Sequence, residues 1–266
     1  IQAVLKVAEG TLGFTEREFL LFFLVLVRMT GLFILAPLFG HASVPARAKA
    51  GLAFACALVV YPMMAQTPFE MPTDVYELTS DVARELFVGA TLGFVSLLVL
   101  AAAQYGGEMI DTQIGFSLAN IVDPSFGQQV SLLGQFHYLV AMMVYMAVDG
   151  HHYLIGALMR SYSVIPVGGA GMSSELFSLV LARFSDLFVI ALRMALPPVA
   201  CLLITEIALG VLARSVPQMN VLMVGFPAKI AVGLVVVGLA ITGFVGYFAS
   251  VTAGLRKVIA GLIRAL

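Results

Sequence analysis

The stretch LFVGATLGFVSLLVLAAAQYGG, residues 86–107, contains no Asp, Glu, Lys or Arg and is long enough to cross a lipid bilayer as one helix. About 20 apolar residues, at a rise of about 1.5 Å each, span the hydrocarbon core. Residues 125–148 and 230–255 are equally free of these four charged residue types. A soluble protein would place a charged face on nearly every helix. The sequence therefore predicts an all-α integral membrane protein.

The composition agrees with this fold class. The chain is 61% hydrophobic and 11% charged, whereas a soluble domain carries about 25% charged residues. A net charge of −1 excludes a globally basic nucleic-acid binder. The two cysteines, Cys56 and Cys201, both lie in apolar segments and are interpreted as small buried hydrophobic residues. Short connections and the total length predict a single membrane domain over residues 1–266.

Basic residues predict the orientation in the membrane. Arg47 and Lys49 mark one cytoplasmic end, and the basic side of the amphipathic tail, residues 251–266, marks another. The acidic connection 66–85 is expected outside. This arrangement places the N-terminus outside and the C-terminus inside, which requires an odd number of crossings.

Several charged residues interrupt the apolar segments. Each costs roughly 2.5–3.5 kcal/mol on insertion scales, so each should have a partner or face water. Structural pairing within the chain or an interface with another subunit is the favoured interpretation. A small-solute transporter with Glu206 as the coupling carboxylate is the alternative. The residues assigned to structural pairs or interfaces are Arg28, Arg183, Glu206, Arg214 and Lys229.

The sequence does not predict an enzyme, a metal site or a cofactor. Glu108 and Asp111 share a helix face but lack a dense ligand motif. His151 and His152 follow Asp149, yet adjacent helical residues point about 100° apart, so helix capping and polar contacts are expected there. No Gly-x-Ser-x-Gly or Walker-type motif is present. An intramembrane serine protease would have to use Ser117 with His137.

A glycine-containing apolar segment, residues 107–123, is the strongest candidate for function. Irregular backbone at membrane depth survives only where protein buries it or where it lines a water-filled path. Bulky flexible side chains could close such a path by excluding water. A tight packed turn between two helices remains the alternative. The candidate plug residues are Met109, Ile110, Gln113, Ile114, Gly115, Phe116, Ser117 and Leu118.

An ordered set of short motifs resembles the flagellar biosynthetic protein FliR family. The most specific is LGVLARSVPQMN at 209–220, followed by VGFP at 224–227. Earlier blocks are APLFG at 36–40, VPAR at 44–47, QIGFS at 113–117, DGH at 149–151, SYSVIP at 161–166 and ALP at 195–197. Asp149 stands where the family commonly has Asn, and Pro198 doubles a usually single proline.

The resemblance implies a core subunit of the type III secretion export gate in the bacterial inner membrane, at the flagellar basal body. Its expected partners are the P and Q gate subunits in a ratio of about 5:4:1, the export-gate ring protein, the B subunit, membrane lipid and unfolded flagellar substrates. The implied fold consists of bent helical hairpins, with a P-like part over about 1–171 and a Q-like hairpin and tail over about 172–266. The family's pore plug maps onto about 107–123. The injectisome homologue of the same gate is the second possibility.

Overall fold

A computed structural model of the chain describes residues 15–41, 43–65, 69, 71–116, 131–171, 173–216 and 221–266. The described residues form seven α-helices and no strand. The helices are α1 (Glu16–Leu35), α2 (Ala46–Met64), α3 (Val75–Ile114), α4 (Leu132–Ala147), α5 (Gly150–Val164), α6 (Ser174–Ser215) and α7 (Val221–Ala265). Within the described chain, five helices are long and apolar enough to cross a membrane, and α4 with α5 would add a sixth if they form one broken span. The prediction of an all-α membrane protein is confirmed.

The first helix begins at a complete capping box. Thr15 is the N-cap: its side chain accepts a hydrogen bond from Glu18 N, and the Glu18 carboxylate accepts one from Thr15 N at 2.8 Å. Two of the backbone N–H groups that a helix start leaves unpaired are satisfied in this way. The Thr15-x-x-Glu18 spacing in the sequence is typical of such a helix start.

Three helices are longer than the sequence predicted. Helix α3 begins at Val75, inside the acidic connection, and ends at Ile114. Helix α6 runs without interruption through the adjacent prolines Pro197 and Pro198. Helix α7 includes the amphipathic tail. Within the hydrocarbon core no water is present to bond the backbone groups of a broken helix, which favours the continuation of α6 across its two prolines.

Contacts divide the chain into two compact units, each discontinuous in sequence. Unit 1 comprises the residues up to Leu97, Asp149–Ala182 and Leu255–Leu266. Unit 2 comprises Leu98–Val148 and Arg183–Gly254. The division into P-like and Q-like parts near residue 171 stays a prediction, as does the single membrane domain.

In unit 1, glycines let α1 and α3 approach each other closely. A Cβ on Gly89 would collide with the carbonyl oxygen of Arg28, and one on Gly93 would lie 2.8 Å from Leu32 O. A Cβ on Gly31 would lie 2.6 Å from Leu86 O. Small residues at such spacing allow backbones to pack by van der Waals contact where lipid provides no hydrophobic driving force.

The amphipathic tail packs within unit 1. Leu255, Ile259 and Leu262 are buried, whereas Arg256 and Lys257 are exposed. At the end of the tail, Leu266 O accepts a hydrogen bond from Gly171 N at 2.9 Å. The predicted amphipathic pattern is confirmed, and its apolar side is covered by this chain's own residues.

Candidate functional site

The end of α3 is where the predicted plug segment begins. The helix runs through Ile114, so residues 107–114 are helical and the prediction of a loop from Gly107 is wrong. Gly115 has φ of 99°, a value that side-chain-bearing residues rarely adopt, and its N–H bonds to Asp111 O at 3.1 Å. Ser117 and Leu118 lie outside the described residues.

The predicted plug residues in the described part of the chain fall into two groups. Ile110 and Ile114 are fully buried in the core of unit 2, together with Leu133 and Leu202. Met109 is 44% exposed, and Phe116 packs, partly buried, against this core. Ile110 and Ile114 therefore anchor the end of α3, and Met109 is left accessible.

Glycines on α3 and α4 explain why the sequence in this region looks irregular. A Cβ on Gly107 would collide with the backbone of Leu133, and one on Gly134 would lie 2.7 Å from the Glu108 side chain. A Cβ on Gly106 would lie 3.1 Å from Ala191 O on α6. These glycines serve close helix packing and do not break the helix.

Asp111 joins the end of α3 to the start of α4. The residue is 4% exposed, and its carboxylate accepts a hydrogen bond from the backbone N–H of Leu133 at 3.1 Å. Ser131, the N-cap of α4, accepts a bond from Gly134 N at 2.9 Å. A carboxylate at a helix N-terminus satisfies unpaired N–H groups and matches the helix dipole. The i, i+3 spacing of Glu108 and Asp111 was noted in the sequence, but it gave no sign of this role.

A second polar link holds α3 to α6 and α7 in unit 2. Gln113 Nε2 donates to Glu206 Oε2 at 3.0 Å, and Lys229 Nζ lies 3.1 Å from Glu206 Oε1. One carboxylate thus binds one residue of the candidate plug and one cation of the last helix. One turn after Lys229 on α7, a Cβ on Gly233 would lie 2.5 Å from Ile114 Cδ1, so α7 approaches α3 closely here.

Arg28 is fully buried in unit 1 and has a complete set of partners. Its Nε and Nη2 donate to the two oxygens of Glu85 at 2.5 and 2.8 Å, and Nη1 donates to Ser161 Oγ at 3.1 Å. Its guanidinium lies 4.2 Å from the centre of the Tyr162 ring. Glu85 also accepts a bond from Gly168 N at 2.9 Å. Glu85 was expected in an external connection, but it is fully buried because Arg28 requires a partner there.

Arg183 and Arg214 are the remaining residues that the sequence assigned to pairs or interfaces, and they differ in whether they form an ion pair. Arg183 pairs with Asp186 on the same helix at 2.8 Å. Arg214 is exposed and forms no ion pair with any residue in the described part of the chain.

Three side chains at the start of α5 could hold a metal ion. The donor atoms of Asp149, His151 and His152 lie within 4.8 Å of one another, and the two imidazole rings are 4.1 Å apart. The expectation that these histidines point apart is therefore wrong. Asp149 occupies the N-cap position with φ of 57° but makes no side-chain cap hydrogen bond. Its carboxylate instead bonds His152 Nδ1 at 3.1 Å.

The protease alternative gains no support from His137. The residue is 4% exposed, its Nδ1 lies 2.8 Å from Leu133 O, and its ring packs against Phe136 and Phe244. Ser117, the other half of that pair, lies outside the described residues.

Comparison with known proteins places the chain in a family. Residues 19–255 match the family model for bacterial export proteins, family 1. The flagellar biosynthetic protein FliR of Bacillus subtilis (strain 168) is 39% identical over 217 residues, covering 80% of this chain and 83% of that protein. FliR of Escherichia coli (strain K12) is 30% identical over 214 residues, with 80% and 81% covered. The Yop proteins translocation protein T of Yersinia pestis is 25% identical over 220 residues, with 82% and 84% covered.

The helices and the paired charges inside them define a polytopic all-α membrane protein. Together with the match over residues 19–255, they identify its family: the chain belongs to the FliR family of bacterial export proteins.

Proposed function

We propose that this chain is a core subunit of the flagellar type III export gate in the bacterial inner membrane, at the flagellar basal body. The match of residues 19–255 to bacterial export proteins carries this proposal. Flagellar service is favoured over injectisome service because the FliR relatives reach 39% identity, against 25% for the translocation protein T. The partners are the P and Q subunits in a ratio of about 5:4:1, the export-gate ring protein, the B subunit and unfolded flagellar substrates.

In this proposal, the end of α3 and the segment after it close the pore at rest. Ile110 and Ile114 fix the end of the helix in a core, Gly115 turns the chain, and Met109 and Phe116 are the closing side chains nearest to that turn. Ser117 and Leu118 continue the plug. Apolar side chains in a narrow path close it by excluding water, and flexible methionine can deform around a passing chain. The gate itself has no enzymatic role, and energy comes from its partners.

The test measures ion leakage through cells that express the complete gate. Deletion of residues 115–118, and the substitutions Met109→Ala and Phe116→Ala, should raise the resting conductance because each removes part of the closure. Tyr105→Ala is the matched control: Tyr105 is 50% exposed and lies one turn before Met109 on α3, outside the proposed plug.

Assembly must be measured in the same cells by co-purification of the gate subunits. Raised conductance with normal assembly, and no change for Tyr105→Ala, supports closure by this segment. Unchanged conductance of the deletion variant in a normally assembled gate overturns the plug proposal and makes the segment a packed turn. The export-gate assignment itself would survive that result.

A further inference from the structure

A groove in unit 1 lies between α5 and the tail end of α7, and the pore proposal does not use it. Its volume is about 310 Å³. Its apolar lining comes from Gly156, Ala157, Ala260 and Ile263. A Cβ on Gly156 would meet no atom within 4 Å, so the groove is open at this point. In a chain with several candidate membrane spans, either lipid or another protein can cover an apolar groove of this size.

Two arginines stand at this groove without an anionic partner. Arg160 and Arg256 both line it, both are exposed, and neither forms an ion pair with a carboxylate of the described residues. Arg256 is held in place by Tyr153: its guanidinium lies 5.2 Å from the centre of the ring, and the Tyr153 hydroxyl donates to Arg256 O at 3.0 Å. A guanidinium group that is held in position and has no carboxylate partner can bind an anion from outside the chain.

Besides Tyr153 and the two arginines, the titratable groups of the groove are Asp149 and His152. The Asp149 carboxylate bonds the His152 ring at 3.1 Å, so the partner of this carboxylate is a residue of α5 and neither of the two arginines. Lys257 and Arg264 on the same tail are also exposed and add positive charge nearby. With two guanidinium groups at its edge, the groove as a whole favours an anion over a metal ion.

We propose that this groove binds an anionic glycerophospholipid, with the headgroup phosphate between Arg160 and Arg256 and an acyl chain along the Gly156 side. Guanidinium groups bind phosphate oxygens in a bidentate manner. Basic pockets between helices near the cytoplasmic membrane surface are a recognised setting for anionic lipid headgroups. The positive-inside pattern of the sequence predicts that side for Arg256 and Lys257, at the groove end of the α7 tail. The proposal is independent of the plug.

The experiment compares lipid binding by the purified full-length chain in detergent, measured by native mass spectrometry with added phosphatidylglycerol or phosphatidylcholine. The wild-type chain should retain phosphatidylglycerol preferentially. Arg160→Gln and Arg256→Gln should each lower this retention about fivefold, as expected for the loss of one cation at an anionic lipid surface. Gly156→Leu should lower it without changing any charge, because the side chain fills the groove.

Arg214→Gln is the matched control, since Arg214 is equally exposed and lies outside the groove. It should leave retention unchanged, and size-exclusion profiles must show that all variants fold. Inorganic phosphate is added in a separate arm, and displacement of the lipid at millimolar phosphate would show a free-phosphate site and overturn the lipid assignment. Equal retention of both lipids, or equal losses for Arg214→Gln and the groove variants, would also overturn it. So would normal retention by Gly156→Leu.

Discussion

Arg28 shows how a buried charge is accommodated at the level of a single residue. The guanidinium has a bidentate carboxylate, a hydroxyl, the backbone carbonyl of Ile165 and an aromatic face as partners. The sequence predicted that Arg28 needs a partner, because an isolated charge in a membrane is costly. It could not identify Glu85, which is 57 residues away and follows a run of acidic residues typical of a solvated connection.

We expect Arg28→Met to destabilise the chain by about 3–5 kcal/mol, because Glu85 would keep a buried charge without its partner. The double variant Arg28→Met with Glu85→Gln should recover part of this loss, since no unpaired charge remains. Thermal unfolding of the detergent-solubilised chain, followed by size exclusion, measures both. A double variant that is less stable than Arg28→Met alone would contradict the proposed cause.

Glu206 presents the opposite case, an ion pair that the described residues of the chain leave half-exposed. Its side chain is 54% exposed, and its partners are Lys229 and Gln113. Because exposed pairs contribute only about 0.2–1 kcal/mol, Glu206→Gln should change stability by less than about 1 kcal/mol and leave flagellar export largely intact. Export of flagellar substrates in complemented cells measures the functional effect. Lys229→Gln, which removes the other partner, is the control.

The transporter alternative makes a different prediction for the same variant. A carboxylate that couples solute uptake to a proton or cation cannot be replaced by an amide without loss of transport. A saturable uptake activity that disappears in Glu206→Gln but persists in Lys229→Gln would support that alternative over an export gate.

At the level of helices, the apolar runs predicted which parts of the chain are helical. The glycines, however, led to a wrong prediction of where α3 ends. Gly106 and Gly107 look like breakers in a one-dimensional sequence, yet α3 continues to Ile114. Their role depends on residues of α4 and α6, which are distant in sequence, so no local pattern reveals it. For the same reason the sequence did not reveal that Asp111 attaches the end of α3 to α4.

This interpretation of the glycines leads to a paired test in unit 2. Gly107→Ala should destabilise the chain by about 1–3 kcal/mol, because its Cβ would enter the backbone of Leu133 and overpack the contact between α3 and α4. Gly243→Ala on α7 is the matched control, since its Cβ would meet nothing within 4 Å. Alanine there should be neutral, or stabilising by up to about 1 kcal/mol through helix propensity.

The unfolding temperatures of the two alanine variants, measured in the same detergent, distinguish close packing from backbone flexibility as the role of Gly107. Equal destabilisation by both would mean that glycine acts through backbone flexibility. A loss confined to Gly107→Ala would assign it to close packing.

At the level of the whole molecule, the helices differ in how much of their apolar surface the chain itself covers. In the apolar window of α3, 67% of the residues are buried, compared with 33% in α6 and 17% in α7. Ile204 and Ile207 on α6 are 66% and 68% exposed, and Leu239 on α7 is 77% exposed. Such surface must be covered by lipid or by other subunits, and the proposed gate function requires other subunits for part of it.

A tryptophan substitution distinguishes lipid from protein on this surface. Lipid accommodates a larger side chain, whereas a close-packed subunit interface does not. We therefore expect Ile207→Trp to leave the isolated chain stable but to reduce co-purification of the P and Q subunits. Leu202→Trp is the control from the same helix: Leu202 is fully buried, so this variant should destabilise even the isolated chain. Because the chain has no other tryptophan, the emission of residue 207 reports its surroundings directly. Normal co-purification, with emission quenched by brominated lipid in the assembled complex, would show that this part of α6 faces the membrane and that the partner surface lies elsewhere.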